Sequence, residues 1–98
     1  MAAYIIAEIG EIHDQATYDE YKKHTPGAIA RFGGRFIIRG GKTEAAEGAW
    51  APTRLVVIEF PDMKSAKAFY ASPDYQNRIL PLRLKASRGG KVIFAEGV

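Results

Sequence analysis

Residues 33–38 read Gly-Gly-Arg-Phe-Ile-Ile, and residues 89–94 read Gly-Gly-Lys-Val-Ile-Phe. Each is a double glycine, a basic residue and three apolar residues, so a turn feeding a strand occurs twice. Upstream of each stands an aspartate suited to start a helix: Asp14, 19 residues before the first glycine, and Asp62, 27 before the second. An apolar run, Ala3 to Gly10, precedes the first unit, and the Val/Ile-rich run Arg54 to Phe60 precedes the second. The order is therefore β-α-β-β-α-β in two similar halves. Two right-handed βαβ units predict one α+β domain over residues 1–98, a ferredoxin-like split with a four-stranded antiparallel sheet and both helices on one face.

Local signals refine this outline. The first helix begins at Gln15, with Tyr18, Tyr21, Thr25, Ile29 and Phe32 on one stripe. Thr25-Pro26 predicts a kink or a restart, and Gly33-Gly34 ends the helix. The strand Arg35 to Arg39 closes at Gly40-Gly41, and a polar stretch runs from Lys42 to Thr53. Pro61-Asp62 opens a second helix, Met63 to Ala71, burying Ala66, Phe69 and Tyr70. Ser72-Pro73 then starts a further helical piece that absorbs the extra length of the second half. Lys91 to Glu96 is the last strand.

Alternation sorts the strand residues into two faces. Ile5, Ala7, Ile9, Phe36, Ile38, Val56, Ile58, Phe60, Ile93 and Ala95 form a wholly apolar set, expected under the helices. The other set is apolar in its middle, with Tyr4, Ile6, Ile37, Leu55, Val57, Val92 and Phe94, and charged at its ends. A patch of that size does not suit water, and a second copy of the same sheet is the simplest cover. A homodimer with sheets face to face is the expectation. The first and third strands are read as parallel neighbours, placing Glu8 beside Glu59, with Arg35 close by. That group is either an ion cluster or a functional acid pair.

Composition narrows the classes of function. With 47% hydrophobic and 26% charged residues the chain is globular rather than disordered. It has no cysteine, hence no disulfide scaffold, thiolate metal site or cysteine nucleophile. No apolar run has the length of a membrane span, and no secretory leader is evident, so a cytoplasmic location is expected. Net charge is +3, with five basic residues and no acid from Gln76 to Ala95. Aliphatics separate those charges, which reads as a helix with leucines inward and a solvated basic side; an anionic small molecule is the alternative. The aliphatic third strand lacks the stacking aromatics of an RNA-binding sheet, and no phosphate-cradling glycine motif is present. Neither nucleic acid nor membrane is an expected partner.

Several segments in combination carry a family resemblance: Tyr4-Ile5-Ile6, Gly33-Gly34-Arg35-Phe36, Arg39-Gly40-Gly41, Glu47-Gly48, Arg54 to Pro61 and Phe69 to Tyr75. Together they resemble the bacterial domain-of-unknown-function family 1330 (DUF1330), of the dimeric α+β barrel superfamily. The resemblance spans essentially the whole chain and implies a ferredoxin-like protomer in a homodimer, but no activity. Superfamily relatives include cofactor-independent monooxygenases, muconolactone isomerases and haem-binding enzymes, an analogy of fold alone. His24-Thr25-Pro26-Gly27 departs from the more apolar stretch expected before the proline.

Candidate site residues follow from chemistry and spacing. Tyr18, Tyr21 and Tyr70 are core residues by position, yet their polar tips suit a pocket between helix and sheet. His24, three residues after Tyr21, is either a solvent-facing residue or a general base at the pocket edge. Glu59 is a candidate acid or base. Arg39 before Gly40-Gly41 marks a tight turn or an anion site. Trp50 is read as interface packing, with a pocket mouth as the alternative, and Ser72 as a helix cap. His13 and His24 lack a metal-binding spacing, so neither metal nor cofactor is expected. Two functions stand: a small-molecule-binding protein that extends to a cofactor-independent enzyme, and a non-catalytic dimeric module.

Overall fold

Asp14 caps α1 (Gln15–Ala30): its carboxylate accepts the Thr17 backbone N–H at 3.1 Å and the Thr17 hydroxyl at 2.7 Å. Asp62 caps α2 (Met63–Ala71) in the same way, accepting the Ser65 N–H at 2.7 Å. In this computed structural model, which describes residues 1–98, the other elements are β1 (Ala3–Glu8), β2 (Glu11–Ile12), β3 (Arg35–Arg39) and β4 (Leu55–Phe60). After α2 a π-helical turn (Tyr75–Ile79) runs into α3 (Leu80–Ala86), followed by β5 (Ser87–Arg88) and β6 (Lys91–Glu96). Ser72 starts this last helical region, its hydroxyl accepting the Tyr75 N–H at 3.3 Å.

The main sheet has the order β3-β4-β1-β6 with every neighbouring pair antiparallel, the ferredoxin-like arrangement. The parallel reading of the first and third long strands is overturned, because the split places an opposed strand between the parallel members of each βαβ unit. Glu59 therefore faces Tyr4, while Glu8 lies opposite Leu55 and Lys91 at the far end. No Glu8–Glu59 pair exists. A second ladder, unforeseen in the sequence, joins β2 to β5 and carries an Arg88–Glu11 ion pair at 3.1 Å.

The helices cover the face bearing Ala3, Ile5, Ala7, Ile9, Val56, Ile58 and Phe60, all buried. Two strands differ from simple alternation. On β6, Val92 and Phe94 stand beside Ala7 and Ile5 and pack on the core, whereas Ile93 is 57% exposed on the other face. All three residues are apolar, so composition could not fix the phase; cross-strand register does. On β3 a bulge at Ile37 separates the Phe36–Ile58 pair from the Ile38–Val57 pair. Ile38 is thereby turned outward and Arg39, opposite Val56, inward. The helix-free face then carries Ile6, Ile37, Ile38, Leu55, Val57 and Ile93.

Pro26 neither ends nor restarts α1, which continues to Ala30. Packing of Tyr18, Thr25, Ala28 and Ile29 on the sheet holds both halves in line. At its end Gly33 adopts φ +77°, and a side chain on Gly34 would collide with the Phe60 ring and Ile29, so the second glycine serves close packing. No helix is long and apolar enough to cross a membrane.

Candidate functional site

Between the helix layer and the sheet lies a narrow cleft with about 40 Å³ of space open to water-sized molecules, or about 530 Å³ when all the space up to its open mouth is counted. Its walls are apolar: Ile5, Ile9, Phe36, Val56 and Phe69 among others. Tyr18, Tyr21 and Tyr70 line it as their spacing suggested, and Arg39 joins them through the β3 bulge. Tyr75, Lys22, Thr25, Arg54 and Arg83 line it too and were not among the site residues expected from the sequence, although Thr25 was placed on the inward stripe of the helix.

The tyrosines form a chain of contacts. Tyr18 and Tyr21 stack with centroids 5.6 Å apart, Tyr21 meets Tyr75 edge-on at 6.4 Å, and Tyr75 meets Tyr70 at 5.5 Å. The hydroxyls of Tyr21 and Tyr75 are 2.8 Å apart, so one donates to the other and one proton remains to be offered elsewhere. Burial, reinforced by the neighbouring Tyr75, pushes Tyr21 well above the usual phenol range, and burial raises Tyr75 too. Both act as neutral donors at ordinary pH.

Each arginine is held by a separate device. Arg54 Nε donates to the Tyr18 hydroxyl at 3.0 Å, with its guanidinium 5.5 Å from that ring's centroid. Gly40, at φ +73°, lies directly against the Arg54 guanidinium, where any side chain would collide with it. The glycine turn thus takes the left-handed conformation of the tight-turn reading, and its bare Cα leaves room for the Arg54 guanidinium. Arg39 stacks over Phe36 at 4.4 Å and donates to the Lys22 carbonyl at 2.8 Å. That carbonyl lacks its backbone helical partner because Pro26, four residues on, has no N–H to give it; besides Arg39 it accepts only from the Thr25 hydroxyl, at 3.4 Å. Arg83 projects from α3 and is only 6% exposed, 6.0 Å from the Tyr21 centroid.

Arg83 contradicts the expectation of a basic side in water. Ile79, Arg83 and Ala86 follow i, i+4, i+7 and all face inward, while Leu84 is exposed. Helix phase, rather than residue type, selects what enters the cleft. The signal available in the sequence was the cluster of five basic residues itself.

His24 and Glu59 lie outside the cleft. His24 is on the outer side of α1; Arg78 Nη1 donates to its Nδ1 at 3.2 Å, and Nε2 is 3.7 Å from Glu20. Glu59 is on the helix-free face, accepting from Arg35 at 2.9 Å and from the Tyr4 hydroxyl at 3.3 Å. It forms an ion cluster with Arg35, without a second carboxylate. Trp50 is exposed in the loop after β3, where it shares a shallow depression with Leu55 of the helix-free side. No three carboxylates or histidines come together as a cation site.

Fold and cleft define a ferredoxin-like α+β protein with a tyrosine- and arginine-lined space between helices and sheet. The chain belongs to the DUF1330 family, a domain of unknown function, which it matches over residues 2–98. A protein of unknown function from Rhodopseudomonas palustris has the same fold, with TM-score 0.77 and 13% identity over 99% of this chain and 82% of that one. An uncharacterised NIPSNAP domain protein from Burkholderia xenovorans superimposes with TM-score 0.60 and 12% identity, over 100% of this chain and 95% of that one. At such identities the likeness shows the fold alone. No curated protein matches the chain significantly.

Proposed function

We propose that this protein binds a small organic molecule in the cleft, as a homodimer joined through the helix-free sheet face. The observation that carries the reading is the cleft itself. A 98-residue domain has little core to spare, and interiors ordinarily close to crystal-like density. Here a cleft persists at the centre of the layer contact, opening to solvent, with polar groups converging on an apolar lining. His24 and Glu59 are too far removed in the fold to act on a molecule there, so no acid–base role is assigned to them.

Support for the dimer comes from the outward apolar residues: Ile93 is 57% exposed, Ile37 45% and Ile38 40%. They adjoin Ile6 and Val57, with charges confined to the sheet's ends. Such a face is self-complementary under a two-fold axis.

A mixed panel of small organic compounds, titrated against protein carrying labelled Ile and Val methyls, tests the ligand reading. Binding compounds are expected to shift Ile5, Ile9, Val56, Ile58 and Val92 together. A panel that leaves those methyls unmoved at millimolar concentration contradicts it. For the dimer, sedimentation at micromolar concentration is expected to give twice the 10.8 kDa chain mass, and a monomer there would refute it.

A further inference from the structure

We infer that the molecule taken by the cleft is a small organic carboxylate, its head among Arg39, Arg54 and Arg83 and its apolar body directed toward Phe36 and Phe69. This rests on the cleft being a ligand site. The chain has seven arginines. Four pair with carboxylates: Arg31 and Arg78 with Asp74, Arg35 with Glu59, Arg88 with Glu11. The three without a carboxylate are the three that line the cleft.

Two of these three have only neutral oxygens as partners, and Arg83 is buried among tyrosines. A guanidinium stays ionised under all ordinary conditions, and a buried one lacking a counter-ion is strongly disfavoured. For buried Arg83 the absent charge therefore belongs to whatever fills the space, with half-buried Arg54 and exposed Arg39 adding positive charge toward the mouth. Every polar side chain of the lining can donate: the guanidinium groups, the Lys22 ammonium and the hydroxyls of Thr25 and the tyrosines. No carboxylate, imidazole or amide stands among them. Such a lining is complementary to an acceptor bearing negative charge.

The cations also gather at one end. Arg39 lies level with Val56, Ala7 and Val92 in the sheet register, and the Arg54 carbonyl accepts from Ile9 N–H at 3.0 Å. Arg83 Nη1 reaches under Gly90, where an added Cβ would sit 3.3 Å from it and 3.1 Å from the Ile9 carbonyl oxygen. One level further are Ile5, Ile58, Phe36 and Phe94, without a charge. Lys22, Arg39 and Arg54 continue from the cleft into an open basin on the surface, lined also by Lys23 and by Asp19, which pairs with Lys22 at 3.5 Å; four cations to one carboxylate leave it a route for an anion from solvent. A planar carboxylate matches the guanidinium forks, and an apolar body fills the level above. Inorganic phosphate would satisfy only the first of these.

Calorimetric titration with cyclohexanecarboxylate, its uncharged carboxamide and inorganic phosphate tests the inference, with cleft methyl shifts locating each probe. The acid is expected to bind at least tenfold more tightly than the amide. Arg54→Gln and Arg39→Gln should each weaken the acid about tenfold, whereas Arg35→Gln on the opposite face should leave it unchanged. Arg39 is exposed, so its variant keeps the fold intact where a change at buried Arg83 could unsettle it. Equal binding of acid and amide would overturn the anion and leave the cleft reading standing. Phosphate binding as tightly as the acid and displacing it would overturn the organic body. Cleft methyls unmoved by all three probes would overturn both readings.

Discussion

Pro26 shows how one residue shapes a site at a distance. Its missing N–H leaves the Lys22 carbonyl without a backbone partner in the helix; the Thr25 hydroxyl reaches it only at 3.4 Å, and Arg39 takes it at 2.8 Å. Pro26→Ala should therefore stabilise the helix by about 1–2 kcal/mol in urea denaturation, since proline within a helix is unfavourable, while weakening ligand retention through Arg39. The buried tyrosines make a second prediction. Tyr21 and Tyr75 have folded pKa values raised above their ordinary value of 10.0. In the unfolded chain they lose their protons first as pH rises, so their contribution is complete below pH 10 and declines above it. Denaturation midpoints should fall as pH rises from 10 to about 11, and Tyr21→Phe should flatten that decline. At this scale the aromatics Tyr18, Tyr21 and Tyr70 were legible, because helical spacing and polar tips are both written locally. Arg54 and Arg83 were not: one precedes a strand, and the other depends on the phase of a helix that follows a π-helical turn.

Among the elements, β6 and β3 decide which residues reach each face. Phe94 packs edge-on against Tyr70 at 5.7 Å, whereas Ile93 points away from the core. Phe94→Ala should cost about 2–3 kcal/mol of unfolding free energy, while Ile93→Ala should leave it within about 0.5 kcal/mol and instead weaken self-association. Equal losses from both would restore the simple alternation. The end of α1 is tied to the π-helical turn by Asp74, which Arg78 contacts at 2.7 Å and Arg31 at 3.3 Å. The hydrogen bonds from Arg78, with the charge of Arg31 beyond, hold Asp74 below its ordinary value of 3.8. That contribution is present above the ordinary value and is lost as pH falls through the depressed folded one. Asp74→Asn should therefore reduce stability at pH 6 and show a shallower acid loss than the parent in midpoints measured down to pH 3. The order of the long elements, both helix starts and the four-stranded sheet could be read from the glycine, proline and aspartate punctuation, but the direction of the β1–β4 pairing and the short β2–β5 ladder could not. The bulge at Ile37 and the phase of Val92-Ile93-Phe94 could not, because runs of uniformly apolar residues carry no period.

At the scale of the whole molecule, a small domain keeps two apolar surfaces from closing on themselves: the cleft between its layers and the face beyond its sheet. The three arginines without a carboxylate partner line the first, and Ile93, Ile37 and Ile38 stand on the second. The proposed assembly, two chains joined at their sheets with an organic acid in each cleft, would account for both. Mass spectrometry from non-denaturing solution, on protein purified without added ligand and then denatured, reads both at once. The predicted result is a species at twice the 10.8 kDa chain mass carrying small-molecule increments that vanish on denaturation. A bare monomer at micromolar concentration, identical in mass before and after denaturation, would contradict the account.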